Sequence, residues 1–169
     1  MRNKRTATLA AILLIGCAAD WLVKDWARRV LLGEMGGVSP MIPGVLRLCY
    51  TENDGGAWSA FSGQTALLLA LPLALALAMF GYALFGKRAT LGIRACLALA
   101  ASGGFGNLID RALHGGRVTD YLQLEFIRFP IFNLADVLVT VGALAAAILI
   151  LASGGGIRER GRGDASGGG

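Results

Sequence analysis

Between Ser102 and Asp136 the sequence reads SGGFGNLIDRALHGGRVTDYLQLEFIRFPIFNLAD. This stretch holds the acids Asp110, Asp120 and Asp136, together with Asn107, Asn133 and Arg111, and long apolar runs flank it on both sides. Ionisable groups at the margin of a membrane are costly to keep there, which makes them functional candidates. Two carboxylates a few ångströms apart cannot both ionise readily, so one keeps its proton while the other acts as a base. Such a pair can activate a water to attack a peptide carbonyl and then protonate the leaving nitrogen, with no metal required. Asn133, with Asp136 three residues on and Pro130 before it, resembles a capped helix entrance. A helix N-terminus favours a charged carboxylate. Asp136 is therefore read as the base and Asp120 as the acid of a pair that titrates as a unit. The residue types also allow a second reading of equal weight, in which the acids pair with Arg111, Arg117 and Arg128 to tie loops to helix ends. Asp110, adjacent to Arg111, looks the most structural of the three, and His114 in its Gly-flanked loop reads as solvated.

The elements that must position these groups are set by a chain of 169 residues, 55% hydrophobic, with a mean hydropathy of +0.61. The length suits one domain. The apolar surplus lies in Leu and Ala runs, which points to an integral membrane protein. The net charge of +5 comes from cations at the ends of those runs. No basic stripe with interleaved aromatics is present, which argues against nucleic acid as a partner. Cations beside spans set topology and meet anionic headgroups instead. Cys17, Cys49, Cys96 and the single His114 form no metal-ligand pattern, so no metal, cofactor or structural disulfide is expected.

Four spans are expected, over about 6–23, 64–85, 91–109 and 131–151. The first has 18 residues, about 27 Å of helix, just enough to cross. Leu14-Ile15-Gly16-Cys17 within it looks like a lipobox, which would make Cys17 a lipidated first residue. The apolar run continues past Cys17, and a retained span is preferred. Asp20 and Lys24 are four apart and share a helix face. They read as an ion pair closing the helix or as a substrate contact, with the ion pair slightly favoured, and Trp21 and Trp26 beside them suit an interfacial belt. Ser59 with Lys24 has nothing local to support a Ser/Lys hydrolase. Residues 27–63 are interrupted by Gly and Pro, with Val45–Tyr50 predicted as a strand. Pro72 is tolerable inside the second span, and Gly103, Gly104 and Gly106 allow a neighbouring helix to approach the third. Between Asp110 and Pro130, strand and interfacial helix both stay open. The last residues, 153–169, are Gly-rich and charged and read as a disordered tail.

An even number of spans puts both termini on one side. The short loop at Lys87 and Arg88 carries no acid, which assigns the termini, tail and that loop to the cytoplasm. Asp20, Asn53, Asp110, Asp120 and Asp136 then all gather near the outer face. That convergence follows from topology alone.

Five segments, taken together and in order among four spans, resemble lipoprotein signal peptidase (signal peptidase II), a bacterial aspartic intramembrane protease family. They are Asp20-Trp-Leu-Val-Lys24, Asn53-Asp-Gly-Gly-Ala-Trp, Gly103-Gly-Phe-Gly-Asn107-Leu-Ile-Asp110-Arg111, Val118-Thr-Asp120-Tyr and Phe129-Pro-Ile-Phe-Asn133-Leu-Ala-Asp136. The resemblance runs from about Asp20 to Gly142. It implies a membrane all-α core of four transmembrane helices with a small outer, periplasmic-side β-rich cradle, in one peptidase domain over residues 1–152. It implies an enzyme of the bacterial inner membrane that cleaves diacylglyceryl-modified prolipoproteins just before the lipidated cysteine. Asp120 and Asp136 match the family's catalytic aspartates. Asp20, Lys24, Asn53, Asn107, Arg111 and Asn133 match its polar site residues, expected to position substrate and stabilise the developing oxyanion. Asp54 and Trp58 depart from the family's usual pattern and bear on the shape of the rim. Lipidated precursor and membrane lipid are the expected partners, and a monomer suffices for the chemistry. Two other classes compete: a small proton-coupled carrier using the acids as a relay, and a lipoprotein precursor or scaffold lipidated at Cys17. A relay wants acids spread through the membrane depth, whereas these cluster at one face.

Overall fold

A computed structural model describes residues 2–32, 38–55 and 64–160. Apolar runs with no water to satisfy their backbone must fold as helices, and four do so. They are α1 (Arg2–Trp26), α2 (Thr65–Phe85), α3 (Leu91–Leu113) and α4 (Leu134–Arg160). All four are long and apolar enough to cross a membrane, and each carries one predicted span. The first is longer than predicted, because a π-helical segment, Ala27–Leu31, continues α1. Cys17 lies well inside α1, which runs unbroken through it. Pro72 sits within α2 without ending it. α4 continues to Arg160, past the predicted end of its span and into the tail expected to be disordered. Trp58 and Ser59 lie outside the described residues.

α3 is the central helix. Half of its apolar window, 50%, is buried inside the bundle, against 17% for each of the other three. Small residues make this possible: Ala98, Ala100, Ala101, Ser102, Gly103 and Gly106 are all buried. A Cβ on Gly103 would collide with the Ala135 carbonyl oxygen, and one on Gly142 would stand 2.6 Å from the Ala100 nitrogen and the Cys96 oxygen. α3 and α4 thus meet backbone to backbone, the close approach that glycine permits between membrane helices.

Outside the four helices, the described residues form an antiparallel sheet of β1 (Val38–Ile42), β2 (Leu46–Asn53) and β3 (Val118–Leu124), in that order. β2 contains most of the predicted strand at Val45–Tyr50, and β3 decides the open choice for 110–130 in favour of a strand. Gly44, at φ 73°, makes the turn between β1 and β2, and Gly115 and Gly116, at φ 63° and 91°, lead from α3 into β3. Tyr121 anchors the sheet to the helices. It is 2% exposed, packs on Ala27 and Leu31 of the π-helical segment, and accepts the Leu134 N–H at 3.1 Å. The C-terminal ends of α1 and α3, the N-terminal end of α4 and the sheet therefore converge at one end of the bundle.

Candidate active site

The first turn of α4 is the framework. A helix start leaves backbone N–H groups without intrahelical partners. Here three successive ones are met by side chains from three elements. Leu134 N donates to Tyr121 Oη, Ala135 N to Asp20 Oδ1 at 2.9 Å, and Asp136 N to Asn133 Oδ1 at 3.0 Å. Asp136 returns the last bond, its Oδ2 accepting the Asn133 N–H at 3.1 Å. This reciprocal pair is a capping box, as the Asn133–Asp136 spacing predicts.

Asn133 is fully buried and its amide nitrogen is still available after the cap is made. It donates to Asp120 Oδ1 at 2.6 Å and also faces Asn107 Oδ1 at 3.1 Å. Asn53, at the end of β2, donates to the other Asp120 oxygen at 3.0 Å, and its own Oδ1 accepts the Gly55 N–H. Asn107, on α3, donates to Asp136 Oδ1 at 2.8 Å. Its oxygen accepts Lys24 Nζ at 2.7 Å, which fixes the orientation of the amide. Lys24 in turn pairs with Asp20 at 2.8 Å, both side chains being 1% exposed. Asp20 and Lys24 therefore form the ion pair, and that pair reaches Asp136 through Asn107. Arg111 comes in from α3 and donates to the Gly55 carbonyl at 2.8 Å.

All eight residues singled out from the sequence, Asp20, Lys24, Asn53, Asn107, Arg111, Asp120, Asn133 and Asp136, thus sit in one cluster. Six of them, all but Asp20 and Lys24, line a cavity of about 320 Å³ walled by Phe129, Pro130, Ile131 and Phe132. A second, more polar cavity of about 500 Å³ adjoins it, lined by Thr51, Glu52, Asp54, Gln123 and Arg128. Asn53 and Asp120 line both.

Burial raises the Asp120 carboxyl from 3.8 to about 6, and the nearby Asp136 charge adds to the effect. The amide donors from Asn53 and Asn133 oppose this without cancelling it. Among the described residues, no three His, Cys, Asp or Glu side chains are grouped to share a metal ion.

Asp110 touches this cluster through Lys24, whose Nζ lies 3.8 Å from its Oδ2, but has a different task. It is 3% exposed, pairs with Arg28 at 2.9 Å and accepts the Thr119 N–H at 2.7 Å. Arg28 also donates to Thr119 Oγ1 at 2.6 Å. Asp110 thus ties the end of α3 to the residue before Asp120, while His114, just past the end of α3, bonds back to it. Arg28 and Thr119 were not expected from the sequence. Arg28 lies four residues after Lys24, as Lys24 does after Asp20, and that repeat places all three on one helix face.

Comparison with known proteins gives a consistent result. The family model described as signal peptidase (SPase) II matches residues 12–152. The chain is 42% identical over 141 residues to the lipoprotein signal peptidase of Lactococcus lactis subsp. lactis (strain IL1403), covering 83% of this chain and 91% of the relative. It is 40% identical over 152 residues to that of Lactobacillus johnsonii (strain CNCM I-12250 / La1 / NCC 533), covering 89% and 96%. A solved structure described as a bacterial membrane enzyme, determined by the in meso method at 2.3 Å, superposes with a TM-score of 0.75 at 26% identity, over 86% of this chain and 88% of that one.

Proposed function

The chain belongs to the signal peptidase II family of membrane aspartic proteases, and from that premise we propose that Asp120 and Asp136 are its catalytic pair. The substrate is a prolipoprotein whose cysteine carries a diacylglyceryl group, and the bond cut is the one just before that cysteine. The support for the pair is that both carboxylates line the same cavity and are held through one residue, Asn133.

In this reading Asp136 takes a proton from a water in the cavity. The water oxygen adds to the scissile carbonyl carbon, and negative charge develops on the carbonyl oxygen. Asp120, entering the cycle protonated, gives its proton to the cysteine nitrogen as the C–N bond breaks. The products are a signal peptide with a new carboxylate and a lipoprotein with a free α-amine. The proton taken up by Asp136 then passes to Asp120, which resets the pair. Asn107 and Lys24 hold Asp136 in place, and Asn53 and Asn133 hold Asp120. Arg111, within the cavity lining, supplies positive charge to the developing oxyanion. The apolar wall at Phe129–Phe132 takes the lipid side of the substrate, and the polar cavity beyond Asp120 takes the chain after the cysteine.

One chain carries every residue in this set, so a monomer suffices. The termini face the cytoplasm and the cavity opens near the outer face of the inner membrane. Incubation of the purified protein with a lipidated precursor tests the pair. Wild type cleaves it; Asp120→Asn and Asp136→Asn each lose at least about a thousandfold in kcat. Full cleavage by either variant overturns the assignment.

A further inference from the structure

At the end of the bundle opposite Asp120, the first turns of α1, the end of α2 and the start of α3 enclose a cavity of about 670 Å³. Its polar lining is Arg5, Thr6, Lys87 and Arg94, and its apolar lining is Leu84 and Phe85. Nothing in the peptidase reading uses it.

Arg94 forms the back of this cavity and is 6% exposed. Its guanidinium donates to the Ala89 carbonyl at 2.9 Å, to Ala83 at 2.5 Å, to Leu84 at 3.0 Å and to Gly86. Four of its five N–H groups are thus placed, capping the C-terminal carbonyls of α2. The bonds satisfy its donors but do not neutralise its charge. Among the described residues no carboxylate pairs with Arg94, Arg5 or Lys87. The Arg5 Nε is itself buried with no hydrogen-bond partner. A buried cation without a counter-ion is costly; Arg94 is one, and half-buried Arg5 and exposed Lys87 face the same space. Beside it, Phe85 is 80% exposed and Leu91 62% exposed, on helices that cross the membrane. Cations at the ends of spans, with apolar side chains projecting next to them, match a headgroup phosphate and its acyl chains.

We propose that this cavity binds the phosphodiester of an anionic membrane lipid, with Arg5 and Lys87 as the headgroup contacts and Arg94 as a fixed positive charge behind them. The site recognises net negative charge on a phosphate, so a zwitterionic lipid with the same chains competes poorly. Arg5 and Lys87 are the residues to change, since Arg94 also caps α2.

The test uses the full chain, delipidated in detergent, with native mass spectrometry reading bound lipid. Wild type retains phosphatidylglycerol over phosphatidylcholine of the same acyl chains. Arg5→Gln and Lys87→Gln each weaken phosphatidylglycerol binding about fivefold, and the double variant about 25-fold. Arg88→Gln, a neighbouring cation that does not line the cavity, leaves it unchanged. Cleavage of the lipidated precursor by the double variant reports that it is folded. Equal retention of the two lipids overturns the proposal, as does loss in Arg88→Gln equal to that in the others. Inorganic phosphate that binds as tightly as the lipid and displaces it assigns the site to a soluble phosphate and also overturns it.

Discussion

Asn133 and Asp136 exchange two hydrogen bonds, each side chain accepting the other's backbone N–H at 3.0–3.1 Å. That exchange starts α4 and leaves the Asn133 amide nitrogen pointing at Asp120. One residue thus caps a helix and sets the geometry of both carboxylates. Asn133→Asp separates the two functions. An aspartate keeps the acceptor that makes the cap but loses the donor to Asp120 and adds a like charge beside it. Thermal unfolding changes less than in Asn133→Ala, which loses the cap at a cost of about 1–2 kcal/mol. Activity falls about a hundredfold in Asn133→Asp, and the alkaline limb of its pH profile moves to higher pH, because the added charge holds the Asp120 proton more tightly.

Lys24→Met leaves Asp20 buried without its counter-charge and removes the shorter of the two donors to the Asn107 oxygen. Breaking a buried pair by removing one partner costs about 3–5 kcal/mol, read as a lower Tm in detergent. The variant Asp20→Asn/Lys24→Met recovers part of that Tm, because no lone charge remains. It does not recover kcat, because Asn107 still lacks the shorter of the two donors that orient it towards Asp136.

Asp120 sets the response to pH. Burial pushes its carboxyl up to about 6, above the ordinary 3.8. As the acid of the pair it must be protonated, so kcat/KM falls about tenfold per pH unit above that midpoint. Stability moves in the same direction. A raised folded-state pKa contributes stability that is complete below pH 3.8 and lost as pH rises through about 6. Over that window the Asp120 contribution is on the order of 3 kcal/mol. Asp120→Asn removes this dependence, so its Tm changes less between pH 4 and pH 8 than that of wild type. An unchanged slope in the variant assigns the titration to another group.

Gly103→Ala and Gly81→Ala make a matched pair. The first puts a methyl into the Ala135 carbonyl and within 3.0 Å of the Val139 nitrogen, so α3 and α4 must separate. Overpacking of this kind costs about 1–3 kcal/mol, and the shift also moves Asp136 away from Asn107, lowering kcat. The second meets nothing within 4 Å and replaces glycine inside α2. It leaves cleavage unchanged and holds or slightly raises Tm.

The membrane spans were legible because the length and continuity of an apolar run are local properties, and a bilayer accepts few other backbones. Residues 64–85 and 91–109 were placed almost to their ends for that reason. The capped start at Asn133–Asp136 was legible because a cap is made within four residues. The order of the polar segments was enough to name a family. The choice of strand at Val118–Leu124 was not legible, since it depends on pairing with β2, about seventy residues earlier. Nor was the use of Arg28 and Thr119, or the Arg94 cap on α2. The sequence by itself determined which residues were available and which end of the bundle they would reach. The tertiary structure alone decided that Asp20, Lys24, Asn107 and Asp136 form one chain of contacts, and that Asp120 is buried deeply enough to hold a proton near pH 6. Those are properties of distance and solvent exclusion between residues far apart in the chain, and they arise only when the helices pack.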